Sequence, residues 1–489
     1  MVSSEATPFA KSGGLGDAVS ALSAALAKAG HEVRLLIPRY SSISLKRLES
    51  TGRVLSLQGG SGRELKAALY RAFVPGSTAE VLFLDCEAYF GREGFYGGKA
   101  TPDFPDNPER FAFLCRAAFA LCADTGWTPD IFHAHDWQGS VLPAALSLER
   151  RAGRFSGSAS VLSIHNLGYQ GVHPKESFAS MGLPWDEYHG SGFEFYGKLN
   201  LLQAGIVKAD CLTTVSPTYA REIQTPHFGF GLDGLLRHRS ADLVGILNGV
   251  DLDEWDPETD LRIAARYSAE RMEGKAACKA ALQKAFGLAA APEKPLIGMV
   301  GRLTDQKGTG ELFGPQYGSA SRMCLDMDIQ MAIVGTGEKW CEDELRSLSA
   351  KLANLKARIG FDEDLAHLVE AGSDFFLMPS RYEPCGLNQM YSLRYGTLPV
   401  VHRTGGLADT VENYNQDTGD GTGFMFDDLT PRSIYDTVGW AVWAWYNRSE
   451  HIALMRRRAM ERRFSWADSA REYEKLYARA LSRAKATVA

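Results

Sequence analysis

The sequence predicts an α/β protein built from two Rossmann-like domains that face each other across a deep cleft. Three observations carry that expectation. Short apolar runs without polar alternation, such as Phe375-Phe376-Leu377-Met378, recur along the chain and read as strands buried on both faces. Most of them end in glycine-bearing turns followed by residues at helical spacing, the rhythm of a parallel sheet. That rhythm stops near Asn248, gives way to a charged helical stretch, and begins afresh at Leu296. At 489 residues the chain also exceeds one hydrophobic core. The expected boundaries are an N-terminal domain over 1–247, a hinge over 248–258 and a C-terminal domain over 259–465. A closing amphipathic helix over 466–489 is expected to return to the N-terminal domain.

Composition narrows the function classes. A formal charge of -6 gives no electrostatic reason to expect nucleic acid. No apolar run approaches the length of a membrane span. Eight scattered cysteines without a CxxC pair fit free thiols in a reducing compartment better than a disulfide framework or a zinc site. The opening residues lack a basic segment followed by an apolar one, so no secretory signal is expected. A cytoplasmic enzyme without nucleic-acid or membrane partners fits these features.

The elements follow in order. Lys11-Ser12-Gly13-Gly14-Leu15-Gly16-Asp17 opens a helix to about Lys28, with Val19, Leu22, Ala25 and Leu26 on one face and Gly30 closing it. Val33 to Ile37 is the next strand. The Gly13-Gly14 pair lets the backbone approach a ligand, and the helix start offers amides to an anion. This is not G-x-G-x-x-G, so it speaks only weakly for a dinucleotide. Ile131 to His135 is a strand end running into Asp136-Trp137. His133 and His135 share a strand face, but no third ligand lies near enough in sequence to favour a metal. Val161 to Ile164 leads into His165-Asn166-Leu167 in the same way. A lone histidine is ordinarily a core or loop residue; the carboxyl end of a strand raises its functional weight. Cys211 to Val215 precedes a helix start at Ser216-Pro217, and Leu243 to Leu247 precedes Asn248-Gly249-Val250-Asp251.

In the second half, Ile297 to Leu303 carries Arg302 near its end, and Thr304-Asp305-Gln306-Lys307-Gly308 follows. Two cations flanking a glycine-bounded turn at a strand end suit a diphosphate. Met331 to Val334, Phe375 to Met378 and Leu398 to Val401 supply further strands. After the second of these, Ser380-Arg381-Tyr382-Glu383-Pro384-Cys385-Gly386-Leu387 puts a carboxylate, a thiol and a glycine at a helix start. The plain reading is that Glu383 caps that helix; repetition of such junctions favours a ligand site. Thr404-Gly405-Gly406-Leu407 is another glycine pair at a helix start.

Taken in order, these motifs resemble the bacterial glycogen synthase and plant starch synthase family, over nearly the whole chain. The resemblance implies a GT-B fold and a retaining glucosyltransferase. Such an enzyme moves glucose from ADP-glucose to the 4-hydroxyl at the non-reducing end of an α-1,4-glucan, either glycogen or a maltooligosaccharide primer. It requires no metal or other cofactor. Carried over, Lys11, Gly13 and Gly14 would meet the sugar nucleotide, Arg302 and Lys307 would hold the diphosphate, and Phe361 would stack on adenine. His165 and Glu383 would contact the transferred glucose. Asp17, Asp136 and Asn248 would line the donor or acceptor side, with Tyr382, Cys385, Gly386, Leu387 and Thr404-Gly405-Gly406 completing the substrate-binding set. Glu383, His165, Arg302, Lys307 and Asp136 form the catalytic group.

Fixed cations and helix starts would answer the charge that develops on the departing diphosphate. Two carboxylates in one cleft also suit a glycosidase, but a hydrolase has no use for Arg302, Lys307 and several anion-binding turns. Same-face attack competes with double displacement on Glu383 or Asp136. UDP-glucose or another acceptor, and a glucan-binding protein without turnover, are the alternative functions; a nicotinamide oxidoreductase lacks its fingerprint.

Two departures from the family pattern stand out. The family's first strand begins several residues earlier, and a start at Met1-Val2 would put an ammonium near a central strand, so an upstream start is expected. In Thr309-Gly310-Glu311-Leu312-Phe313-Gly314-Pro315-Gln316-Tyr317-Gly318, each glycine costs roughly 1 kcal/mol in a helix and proline about 3. The helix there is expected to be short or broken near Pro315, loosening Lys307.

Overall fold

Strands with apolar side chains on both faces must be covered on both sides, and such strands form the middle of each half of the chain. The computed structural model describes residues 1–60, 62–98 and 103–488. Met1–Gly249 and Trp466–Ala489 form one unit, and Val250–Ser465 forms another.

The first unit holds β1 (Arg34–Pro38), β2 (Glu49–Gln58), β3 (Glu64–Phe73), β4 (Glu80–Asp85), β5 (Ile131–His135), β6 (Ala159–Ile164), β7 (Val172–Pro174), β8 (Glu194–Phe195), β9 (Lys198–Asn200), β10 (Cys211–Thr214) and β11 (Leu243–Gly245). Two four-stranded ladders run β1-β4-β3-β2 and β11-β10-β6-β5, and β7-β9-β8 make a small separate sheet. Val2 joins the two ladders by parallel bridges to Leu36 and Ala134. Its amide donates to the His133 carbonyl at 2.8 Å, and its carbonyl accepts from His135. The opening residues therefore fill the central strand position. Strand order reverses there, and the carboxyl-end crevice beside such a reversal is where open α/β sheets bind ligands. The glycine turn after Val2 and Asp136 after β5 both leave that point.

The helix Gly14–Lys28 runs as the pattern predicts, with Val19, Leu22 and Leu26 buried. The antiparallel extension β2-β3-β4 was not foreseen. Most residues of β2 are exposed and its pairing with β3 slips between Ser50 and Val54, so no apolar period marks it. The helix Trp466–Val488 belongs to the first unit. It buries Tyr473, Leu476, Ala480 and Ala484 and packs on the helix Gly14–Lys28 and on β6.

The second unit has a single parallel sheet of β12 (Leu296–Leu303), β13 (Gln330–Gly337), β14 (Leu355–Ile359), β15 (Phe375–Met378), β16 (Leu398–His402) and β17 (Phe424–Phe426), in the order β14-β13-β12-β15-β16-β17. Successive side chains feed two different cores. Met331, Ile333, Phe375 and Leu377 enter one, while Ala332, Val334, Phe376 and Met378 enter the other. The reversal of strand order falls between β12 and β15.

Two local features belong to this unit. The helix begun at Thr309 stops at Phe313, and another starts only at Ser319 and runs to Asp326, so the glycine-proline segment breaks the helix as its propensities require. Residues 250–258, expected as part of a hinge, are grouped with the second unit. Val250 pairs with Ser465, and Trp255 lies between the rings of His367 and Tyr391 at 3.7 and 3.8 Å. Aromatic area that can be buried outweighs the turn signals of Asp256-Pro257.

Candidate active site

In the second unit the site is built on the turn that leaves β12. Gly308 sits at φ +67°, and a Cβ there would lie 1.9 Å from the Pro379 carbonyl oxygen at the exit of β15. Glycine alone allows that approach, and it sets Lys307 against the loop after β15. Lys307 Nζ lies 2.5 Å from Glu383 Oε2, and Ser380 Oγ donates to the same oxygen at 2.9 Å. Glu383 is buried, so the pair gives its carboxylate the cation and the hydroxyl that burial demands. Gln306 ties the turns together, donating to the Tyr382 carbonyl and accepting from the Arg381 amide. Arg302 reaches Gln306 Oε1 at 3.3 Å and is otherwise exposed to solvent.

Gly405 and Gly406 pack closely against the backbone of the Glu383 loop. Cβ atoms on them would lie 1.9 Å from the carbonyl oxygens of Glu383 and Cys385. The Gly406 amide donates to the Glu383 carbonyl at 3.0 Å. This pair locks the Glu383 loop in place. Thr404 and Cys385 are buried beside it, Tyr382, Gly386 and Leu387 are half-buried, and Gly386 turns the chain at φ +70°. Phe361 stands 75 % exposed just beyond the edge strand β14.

The first unit carries a quieter arrangement. Lys11 through Gly14 are exposed, with open space where the Cβ atoms of Gly13 and Gly14 would be. Lys11 Nζ lies 2.9 Å from Asp17 Oδ2, and Thr7 Oγ1 donates to Asp17 Oδ1 at 2.8 Å. Glu5 holds the loop from beneath. Its two oxygens accept from the Ser12 amide and the Ser12 hydroxyl, both at 2.6 Å, and Tyr96 donates its hydroxyl to the same carboxylate. Glu5 is 2 % exposed. Sequence reasoning missed both Glu5 and Tyr96; the only signal was a carboxylate seven positions before Ser12, and Tyr96 is remote in sequence.

Asp136 follows β5 at φ +52°, a conformation that costs a side chain with a Cβ about 1–3 kcal/mol and clusters at functional sites. Its Oδ1 accepts from the amides of His165 at 2.7 Å and Asn166 at 3.3 Å. Burial pushes its carboxyl up to about 7 against the pull of those amides. His165 Nε2 lies 3.1 Å from His135 Nδ1, and burial lowers His165 to about 4. His133 and His135 are likewise held well below the usual imidazole range by burial. His133 is engaged by Ser163 and Tyr477 at 2.7 and 2.9 Å. These are neutral rings in a packed core. Among the described residues, no group of three or more His, Cys, Asp and Glu side chains could hold a metal ion. Asn248 is buried in the segment after β11.

The expected residues thus fall into local sets. Lys11 pairs with Asp17 and Asp136 with His165 in the first unit; Lys307, Glu383 and the Gly405-Gly406 turn meet in the second, with Arg302 linked through Gln306. A family model described as starch synthase catalytic domain matches residues 1–238, and one described as glycosyl transferases group 1 matches residues 283–442. The chain is 52% identical over 483 residues to a glycogen synthase of Treponema denticola, covering 99% of this chain and 98% of that protein. It is 45% identical to glycogen synthase 1 of Geobacter sulfurreducens, covering 98% and 96%. The solved catalytic domain of starch synthase IV from Arabidopsis thaliana, bound to ADP and acarbose, superposes with a TM-score of 0.89 at 31% identity, over 98% of each chain.

Proposed function

The chain belongs to the bacterial glycogen synthase and plant starch synthase family of retaining GT-B glucosyltransferases that use ADP-glucose, and from that premise we propose how its residues divide the reaction. The acceptor is the 4-hydroxyl at the non-reducing end of an α-1,4-glucan, glycogen or a maltooligosaccharide, and the work is done in the cytoplasm. That no helix among the described residues is long and apolar enough to cross a membrane agrees with this location. Residues 1–249 with the closing helix serve the acceptor side, and residues 250–465 bind the nucleotide sugar.

The observation that carries the reading is the Lys307–Glu383 pair at the reversal point of the second sheet. Breaking the glycosyl–phosphate bond puts negative charge on the diphosphate and positive charge on the sugar. Lys307 and Arg302 answer the first; Glu383 answers the second. Lys307 turns from Glu383 toward the diphosphate as ADP-glucose enters, so the carboxylate is released at the moment the sugar needs it. The broken helix after Gly308 does not set Lys307 loose, since Glu383 holds its ammonium group. Lys11 meets the nucleotide sugar from the first unit, with the open Gly13-Gly14 backbone beside it, and Phe361 offers its exposed ring to the adenine. His165 stays neutral and contacts the transferred glucose. Asp136 keeps the amides of His165 and Asn166 in place, a role that favours same-face attack over a covalent intermediate on Asp136. The leaving phosphate then takes the proton of the attacking hydroxyl.

Purified protein incubated with glycogen is expected to release ADP from ADP-glucose and to incorporate glucose with retained configuration. A parallel arm with UDP-glucose should turn over more slowly. Equal or faster turnover of UDP-glucose would overturn the donor assignment.

A further inference from the structure

Three aromatic residues of the first unit hold a backbone conformation that residues with a Cβ rarely adopt. Phe155, at φ 54°, packs its ring on Phe119 and Phe132, which leaves two whose rings are exposed. Tyr196 lies at φ 49° and Phe230 at φ 47°, and each precedes a glycine also at positive φ, Gly197 at 78° and Gly231 at 83°. Tyr196-Gly197 forms the two-residue connection between β8 and β9, where Phe195 pairs with Lys198. Such a connection asks for positive φ at both central positions and favours Asn-Gly. A tyrosine in first place is strained, and strain of this kind points from the outlier toward a function. Burial does not account for the two rings, since Tyr196 is 84 % exposed and Phe230 41 %.

The two turns abut. The ring of Phe195 meets the ring of Tyr196 edge-on, with centroids 4.8 Å apart. Phe195 Cζ also lies 3.1 Å from where a Cβ on Gly231 would be. Buried amides fix both turns to the rest of the unit. Gln170 Nε2 donates to the carbonyls of Phe230 at 3.1 Å and Leu167 at 3.3 Å, and Asn200 Nδ2 donates to Gln170 Oε1 at 2.6 Å. Gln203 Nε2 donates to the carbonyls of Gly192 and Glu194 at the base of the hairpin. Leu167 is two residues from His165, so the aromatic turns and the His165 loop share one hydrogen-bonded scaffold.

We propose that Tyr196 and Phe230 form a stacking platform for the glucan acceptor, gripping glucose rings remote from the one that reacts. The inference rests on the glucan-synthase reading above. Glucose rings present C–H faces that pack on aromatic rings, and aromatic side chains with two rotatable bonds lose little entropy on binding. A rigid, strained turn adds preorganisation. The occupant is an uncharged polymer, which suits rings whose neighbouring carboxylates are already engaged: Glu194 accepts from the Gly197 amide at 2.8 Å, and Asp233 pairs with Arg237 at 2.7 Å.

The test compares glycogen with maltotriose in Tyr196→Asn, Phe230→Ala and the double variant. Asparagine suits positive φ, so Tyr196→Asn removes the ring while relieving the strain. Its melting temperature should match or exceed that of the parent, whereas its KM for glycogen should rise about fivefold. The rise should be largest for the double variant with glycogen and smallest with maltotriose. Affinity electrophoresis in glycogen-containing native gels reads the same platform without turnover. Retardation that is unchanged in folded Tyr196→Asn, or an equal loss on both acceptors, would overturn the platform. Failure of the parent protein to release ADP, with glycogen retardation intact and ring-dependent, would instead sink the synthase reading and leave the platform standing.

Discussion

The glycine turn of the first unit and the lysine turn of the second both leave the point where the strand order of a sheet reverses, yet they differ in what is buried beneath them. Beneath Lys11–Gly14 lies a buried carboxylate, Glu5, whose oxygens are taken by an amide and two hydroxyls. Behind it, His133, His135 and His165 are kept neutral by burial. Each turn sets a lysine on a carboxylate, but the Lys11–Asp17 pair lies open to solvent whereas Glu383 is buried beneath Lys307, and the second unit also leaves Arg302 and Phe361 exposed. On the reading proposed above both turns meet the nucleotide sugar, the first through fixed hydrogen-bond geometry and the second through charge. Neutral sugars are recognised by hydrogen bonds whose worth depends on fixed geometry. A diphosphate is recognised by charge, which tolerates movement and gains from it when the cation must change partners.

The sharpest way to break this contrast is to remove Lys307. Lys307→Ala should lower kcat by roughly 10²–10³-fold, the usual range for a group that stabilises developing negative charge. It should also lower the melting temperature, because buried Glu383 loses its cation. Loss of melting temperature without loss of ADP release would make the pair structural only. Next in size is Glu5→Gln, which spoils one of two acceptor positions beneath the glycine turn. An unmade buried hydrogen bond costs about 1–3 kcal/mol. The variant should raise the KM for ADP-glucose by roughly tenfold and lower kcat less, which initial-rate kinetics can separate.

The smallest effect concerns Asp136 and is read in stability. Its folded pKa, about 7, lies above the ordinary carboxylate value of 3.8. Between those values the native state holds a proton that the unfolded chain has given up. Its contribution to stability is therefore full below about pH 4 and is lost as pH rises toward 7. Asp136→Asn cannot titrate, tolerates positive φ and still accepts from the two amides. Urea unfolding should show the variant gaining on the parent steadily from pH 4 to 7. A flat difference would place the carboxyl in a wetter setting than its burial implies. His165 titrates in the other direction, its contribution fading as pH falls through about 4, and it is common to both proteins.

How much of this could be read beforehand depends on where the information sits. Phe375 to Met378 appears as a strand with the bounds expected of it, since a strand buried on both faces must be apolar at every position. The outer strand β2 of the antiparallel extension escaped because an exposed, bulged strand needs no such pattern, whereas the apolar run of β4 was simply overlooked. Lys307 and Glu383 were legible as charges beside glycines at strand ends. Glu5 was not, because its role depends on Tyr96, which reaches it only through the tertiary fold. The packing of Trp255 was hidden for the same reason: the rings that enclose it, His367 and Tyr391, come from distant helices. The packing of Gly405 and Gly406 against the Glu383 loop could not be read from the glycine pair itself. A glycine pair reads alike whether it admits a ligand or another piece of backbone.

The closing helix has a consequence for how the protein is made. Residues 250–465 are contiguous and can pack as soon as they leave the ribosome. The unit begun at Met1 must wait for Tyr473 and Leu476 to cover its face. The part synthesised first is thus finished last, and premature termination anywhere before Trp466 would leave that half with its side uncovered.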